Sequence, residues 1–167
     1  TTPGKNAFFT AVYCVIVPFL YWAVDRARPD RFNVLAAALC VAGIGFVSWD
    51  GGLAFTMGDA LTLCGGFLFA CHIVAVSKFS QGRDIFILTA IQFASTALCC
   101  WVGTLFTEGI PSGELPARAW WVLLYLAVAG TTLALLFQNV GQKYTDPSSA
   151  AVLLALEPGI FGDKYYA

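Results

Sequence analysis

Charge is scarce in this sequence, and so are the arrangements that soluble chemistry needs. Charged residues make up 11% of 167 positions, against about 25% in an ordinary soluble domain. A surface wetted on every side needs more, so a soluble globular domain is excluded. The formal net charge of −1 supplies no basic face for phosphates, and no nucleic-acid partner is expected. The one histidine, His72, has no second His, Asp or Glu on its helical turn, so metal-ligand spacing is missing. Six cysteines (Cys14, Cys40, Cys64, Cys71, Cys99 and Cys100) lie inside apolar runs without a CxxC pair. They read as buried small hydrophobes, not as a disulfide or metal framework. GxSxG, HExxH and a paired intramembrane Asp are absent, so no nucleophile and base are brought together. Neither an enzyme nor a cofactor nor a bound metal is expected. A basic amino-terminal region with a small-residue cleavage pattern is lacking too, so no signal peptide is expected within these residues.

Long apolar runs are what the chain has instead. Six of them cover 7–24, 32–49, 60–77, 85–107, 119–142 and 147–162, and a membrane span needs about 20 such residues. Membrane strands would alternate apolar and polar side chains, whereas Val34 to Val41 does not alternate. The expected fold is therefore all-α, a polytopic transmembrane helix bundle. The sixth run stops at Gly162, short of a full crossing, and the first begins within a few residues of Thr1. Both ends read as cut, so a fragment is expected.

Alternating spans put Arg26, Arg28, Arg31, Lys78, Arg83 and Lys143 on one face and Lys5, Arg118 and Lys164 on the other. The basic-rich face is expected in the cytoplasm. The opposite loops carry Asp50, Asp59, Glu108 and Glu114 against Arg118. Trp49, Trp120 and Trp121 fall at the outer interface and Trp22 and Tyr144 at the inner one, where aromatic rings gather. Trp101 is deeper and reads as a packing or lipid-facing residue.

Small residues four apart recur: Ala38 and Ala42, Gly66 and Ala70, Ala90 and Ala94, Ala127 and Thr131, Ala151 and Ala155. Such pairs let membrane helices approach closely, so a tight bundle is expected. Polar groups at depth point further. Glu157, directly before Pro158, is an acid inside a span at a point where proline removes a backbone donor. It reads as a substrate or proton-coupling site, or as a residue close to a cut end. Gln92, Gln138 and Asn139 serve either as glue between helices or as lining of a solute path. Asp59 is placed to complement a helix N-terminus. Pro18 is expected to kink the first span, and Thr131 and Thr132 to bond back to the backbone and bend the fifth.

A weak internal echo links Thr2-Pro-Gly-Lys-Asn-Ala-Phe-Phe with Thr145-Asp-Pro-Ser-Ser-Ala-Ala-Val, aligning Ala7 with Ala150. These segments open spans one and six, five spans apart, so a five-helix repeat would be inverted. The opening Thr1–Tyr13 with Val17-Pro18, then Arg28-Pro29 and residues 43–48, resemble the fourth and fifth helices of an EamA-type member of the drug/metabolite transporter superfamily. Gly58-Asp59-Ala60-Leu61 through Ser77-Lys78 is similar to the sixth helix. Gly130-Thr131-Thr132, Gln138, Gln142 to Thr145, Ser148 to Ala151 and Leu156-Glu157-Pro158 resemble the eighth and ninth.

The resemblance implies ten helices in two inverted halves. Residues 1–50 then supply the last two helices of the first repeat, 56–163 the first four of the second, and 164–167 a non-family tail; the stretch after Pro158 departs from the family pattern. The function it implies is secondary transport of small organic metabolites or drugs by alternating access. Substrate or proton pathway candidates are Glu157, Gln92, Gln138 and Asn139, with Pro18 and Pro158 as hinges. Expected partners are the lipid bilayer, a small-molecule solute and a second copy in a homodimer. The expected location is the plasma (inner) membrane. A structural or chaperone-like membrane subunit and an intramembrane enzyme are the alternatives.

Overall fold

Lipid offers a backbone no hydrogen-bond partners, so an apolar run that crosses it must satisfy its own amides, as a helix does. The computed structural model describes residues 3–26, 28–47, 56–107 and 116–156, and every regular element among them is helical. In chain order these are α1 (Pro3–Ala11), α2 (Tyr13–Asp25), α3 (Arg31–Val47), α4 (Met57–Ser80), α5 (Ile85–Thr107), α6 (Ala117–Tyr125), a π-helical segment (Leu126–Leu133), α7 (Ala134–Lys143) and α8 (Pro147–Ala155). Among the described residues four stretches are long and apolar enough to cross a membrane: Asn6–Asp25, Met57–Ser80, Ile85–Thr107 and Ala117–Lys143. The chain is thus the polytopic all-α bundle its composition demands. Helices α3 and α8 are shorter among the described residues, at 17 and 9 residues. Trp49, Glu157, Pro158, residues 50–55 and 108–115 and the tail 164–167 lie outside the described residues.

The helices form two compact units, one from the described residues of Thr1–Lys78 and Thr145–Ala167, the other from Phe79–Tyr144. In the first unit, α1 and α2 run parallel to α4. Thr62 donates to Asn6 across 2.8 Å at an offset of 56 residues. The same spacing brings Gly66 against the Phe9 and Thr10 carbonyls and Tyr13 edge-on to Phe69. At the far end Lys78 pairs with Asp25 at 2.8 Å. Gly66 makes this approach possible, because a Cβ there would sit 3.2 Å from the Thr10 carbonyl oxygen. At the opposite end of α4, Thr56 and Asp59 form a reciprocal cap. The Thr56 amide donates to the Asp59 carboxylate at 2.8 Å and the Asp59 amide to the Thr56 hydroxyl at 3.3 Å, satisfying donors that a helix start leaves open.

The first span breaks at Val12, where α1 gives way to α2. Its carbonyl accepts from Val15 at 3.0 Å and from Ile16 at 3.3 Å. Pro18 lies buried within α2, more than a turn beyond that break. Helix α8 packs on both α2 and α3. Ala151 and Ala155 are fully buried there with Cys14 and Val17, and Ala37 joins them from α3. Asp146 caps α8 by accepting from the Ser148 and Ser149 amides at 3.1 and 3.3 Å, and it also accepts from Asn33 at 3.3 Å. Small residues therefore pack where expected at Gly66, Ala70, Ala151 and Ala155, but not at Ala38, Ala42, Ala90, Ala94, Ala127 or Thr131, which are exposed. Four-residue spacing defines a helix face without saying what that face meets.

In the second unit, α5 packs against α7. Arg83 lies over the Phe79 ring at 5.5 Å, and Lys143 at the end of α7 donates to the Arg83 carbonyl at 3.0 Å. Gly82 takes a positive φ of 69° in this turn, a conformation glycine adopts without strain. Between α6 and α7 the helix widens. Thr131 and Thr132 hydroxyls donate to carbonyls five residues back, Leu126 at 3.0 Å and Ala127 at 2.8 Å. The expected back-bonding is present, and it falls within a π-helical segment, a form that recurs at functional sites. Neither α6 nor the π segment buries a side chain. Trp101 is exposed on α5, which fits a lipid-facing residue. Cys64, Cys99 and Cys100 are exposed as well, a correction to the expectation of buried cysteines. In hydrocarbon a small apolar side chain gains nothing by turning inward. All six cysteines are free.

Candidate functional site

Polar side chains inside the second unit converge between α5 and α7. Thr89 and Gln92 lie three residues apart, on one face of α5. Opposite them Asn139 is completely buried. Its Nδ2 donates to Thr89 Oγ1 at 2.9 Å and to Gln92 Oε1 at 2.8 Å. The Thr89 hydroxyl spends its own proton on the Ile85 carbonyl at 2.8 Å, so its oxygen is free to accept. Both donors of one amide are therefore committed across the helix pair.

Other polar atoms on the α7 side are not committed. Among the described residues, Asn139 Oδ1, Gln138 Nε2 and both amide atoms of Gln142 are buried without a hydrogen-bond partner. Gln142 is 4% exposed and lies one turn beyond Asn139. Buried polar groups normally find partners, and each that does not needs an explanation. None of Thr89, Gln92, Gln138, Asn139 and Gln142 carries a charge.

Of the residues singled out from sequence, Gln92 and Asn139 are brought together directly. Gln138 is adjacent on α7 and bonds to neither. Glu157 and Pro158 lie outside the described residues, and Pro18 belongs to the other unit. Thr89 and Gln142 complete the cluster and were missed. Their spacing was the available clue, since Thr89 precedes Gln92 by three and Gln142 follows Asn139 by three.

The first unit holds a different polar feature. His72 stacks on Phe69 at 6.0 Å between ring centres, and Phe69 meets Tyr13 edge-on at 4.9 Å. Among the described residues the His72 Nε2 atom is buried with no hydrogen-bond partner. Among the described residues no group of three or more His, Cys, Asp or Glu side chains could hold a metal ion. The Asn33, Asp146 and Ser149 contacts are accounted for by capping of α8.

Residues 56–161 match the model of the EamA-like transporter family, a range that contains all five residues of the amide cluster. Over 165 residues the chain is 31% identical to a protein of Archaeoglobus fulgidus named an uncharacterized transporter, covering 99% of this chain and 52% of that relative. The chain thus spans about half the length of the curated relative it matches. No solved structure matches it.

Proposed function

The chain belongs to the EamA-like transporter family, and on that premise we propose that the full-length protein is a secondary transporter of a small organic metabolite or drug. It works by alternating access between two inverted halves. Residues 1–50 supply the last two helices of one half and residues 56–163 the first four of the other. The bilayer is the plasma (inner) membrane, and the protein pairs with a second copy. The family and the name of the relative point to transport, not to catalysis.

The observation that carries this reading is the buried amide cluster of α5 and α7. Polar side chains within membrane helices are expensive and mark solute or ion paths. Simple glue explains Asn139 Nδ2 with Thr89 and Gln92, but it leaves Gln138 and Gln142 without a role. Gln92, Gln138 and Asn139 line the path, Glu157 binds solute or a proton, and Pro18 and Pro158 absorb the conformational change.

The test is uptake by proteoliposomes of the full-length protein incubated with a complex small-metabolite extract, with contents read by mass spectrometry against protein-free vesicles. Enrichment of one solute or one chemical class supports transport. Identical contents in the two vesicle types contradict it. With the solute in hand, Glu157→Gln is expected to alter flux or its pH dependence.

A further inference from the structure

Pairing across the helices uses Asn139 Nδ2, Gln92 Oε1 and Thr89 Oγ1, yet among the described residues four buried polar atoms of the same α7 turn have no partner. They are Asn139 Oδ1, Gln138 Nε2, Gln142 Oε1 and Gln142 Nε2. Positions 138, 139 and 142 fall within about 100° of arc on α7, given the helical period, so these atoms belong to one face and one turn. The set contains two acceptors and two donors. Exchanging the oxygen and nitrogen of Gln142 would leave one of each, so the balance does not depend on how that amide is oriented.

We propose that this face of α7 binds a neutral, carboxamide-like solute group, with Gln142 as its principal contact. The chemistry selects the class. An anion would be met by donors alone, and a cation by acceptors alone. Either would leave half of the Gln142 amide unpaired and would enter a buried site with no opposing charge. The neighbouring cation, Lys143, already donates to the Arg83 carbonyl at 3.0 Å. A carboxamide both donates and accepts through adjacent atoms, as the Gln142 amide does, and satisfies both halves at once. All four atoms are buried, so loading requires this face of α7 to open, as alternating access demands. The inference deepens the transport reading by naming the group recognised, and it rests on that reading only in taking the bound molecule as cargo.

The test uses the full-length protein in nanodiscs and three probes built on one ring: nicotinamide, nicotinate and 3-picolylamine, which are neutral, anionic and cationic. Nicotinamide is expected to raise the melting temperature in a dose-dependent way, and the other two are not. Gln142→Leu is expected to weaken the nicotinamide response about tenfold or more, because a site built to hydrogen-bond loses most when its partner is removed. Its unliganded melting temperature should stay at or above that of the wild type, since a buried unpartnered amide has gone. Gln142→Glu is expected to move the preference to 3-picolylamine, a readout that does not depend on the Leu variant folding. The proposal is overturned by no response to any probe, by equal responses to all three, or by a Leu variant that binds nicotinamide like the wild type. A Leu variant that is more stable, in a protein whose wild type ignores all three probes, marks a face that holds only water and also overturns it. Nicotinamide binding without flux into proteoliposomes would contradict the transport reading and leave the site standing.

Discussion

Asn139 and Gln92 meet across 2.8 Å between α7 and α5, and the same Asn139 nitrogen also reaches Thr89. One amide thus ties two side chains of a single α5 turn to α7 from a fully buried position. Replacing Asn139 by Leu removes both bonds and is expected to destabilise the helix pair by about 1 kcal/mol, within the range for such bonds in membranes. A double-mutant cycle with Gln92→Leu should return a positive coupling of about 0.5–1 kcal/mol. Equilibrium unfolding in mixed micelles measures both quantities. Additive losses would show that the two side chains act separately.

Gly66 is a second point where chemistry and spacing meet. A Cβ there would lie 3.2 and 3.3 Å from two backbone oxygens of α1, whereas one at Gly65 would meet nothing within 4 Å. Gly66→Val is therefore expected to cost about 1–3 kcal/mol, as over-packing does, and Gly65→Val little. Melting temperatures of the two variants in one detergent check this. Equal shifts would contradict the close approach of α1 to α4.

These particulars show what was legible in the chain. The spans and their class follow from length and polarity, which lipid enforces one helix at a time. Pairings between helices do not, because register is a property of two segments. Gln92 and Asn139 were recognisable as polar groups at depth, but nothing local says that they touch. Thr89 passed unnoticed because threonine in a helix usually bonds to its own backbone, as it does to Ile85. Gln142 lies beside Lys143 and reads as the flank of a loop. The break at Val12 was hidden in an unbroken apolar run. Thr131 and Thr132 were legible as back-bonding residues, though not as parts of a π turn. Cysteine burial was misjudged by carrying a soluble-core habit into hydrocarbon.

Asp146 holds the start of α8 through the Ser148 and Ser149 amides. Asp146→Ala is expected to cost about 1 kcal/mol, the usual loss for an N-cap. Asp146→Asn should retain most of that stability, since an asparagine oxygen accepts the same bonds. Chemical denaturation of the two variants distinguishes them. Equal losses would mean that the charge, and not the cap, is what matters.

The sidedness expected from the basic residues is open to a direct check. Alkaline phosphatase fused after Gly82 should be inactive and a fluorescent protein there bright, because the positive-inside rule assigns that turn to the cytoplasmic face as an expectation. Fused after Ser112, the phosphatase should be active. The reverse pattern would invert the proposed orientation of every span.

Solute passage beside the α5–α7 amides is the central element of the proposed mechanism. Flux through proteoliposomes of the full-length protein should be compared for the wild type, Gln92→Leu and Gln138→Leu, at matched folded fraction and with the solute identified by uptake. The expected result is a loss of about tenfold or more for each variant, since a hydrogen bond to the moving solute is removed. Wild-type flux in both variants would reduce these amides to structural bonds and contradict the proposed path.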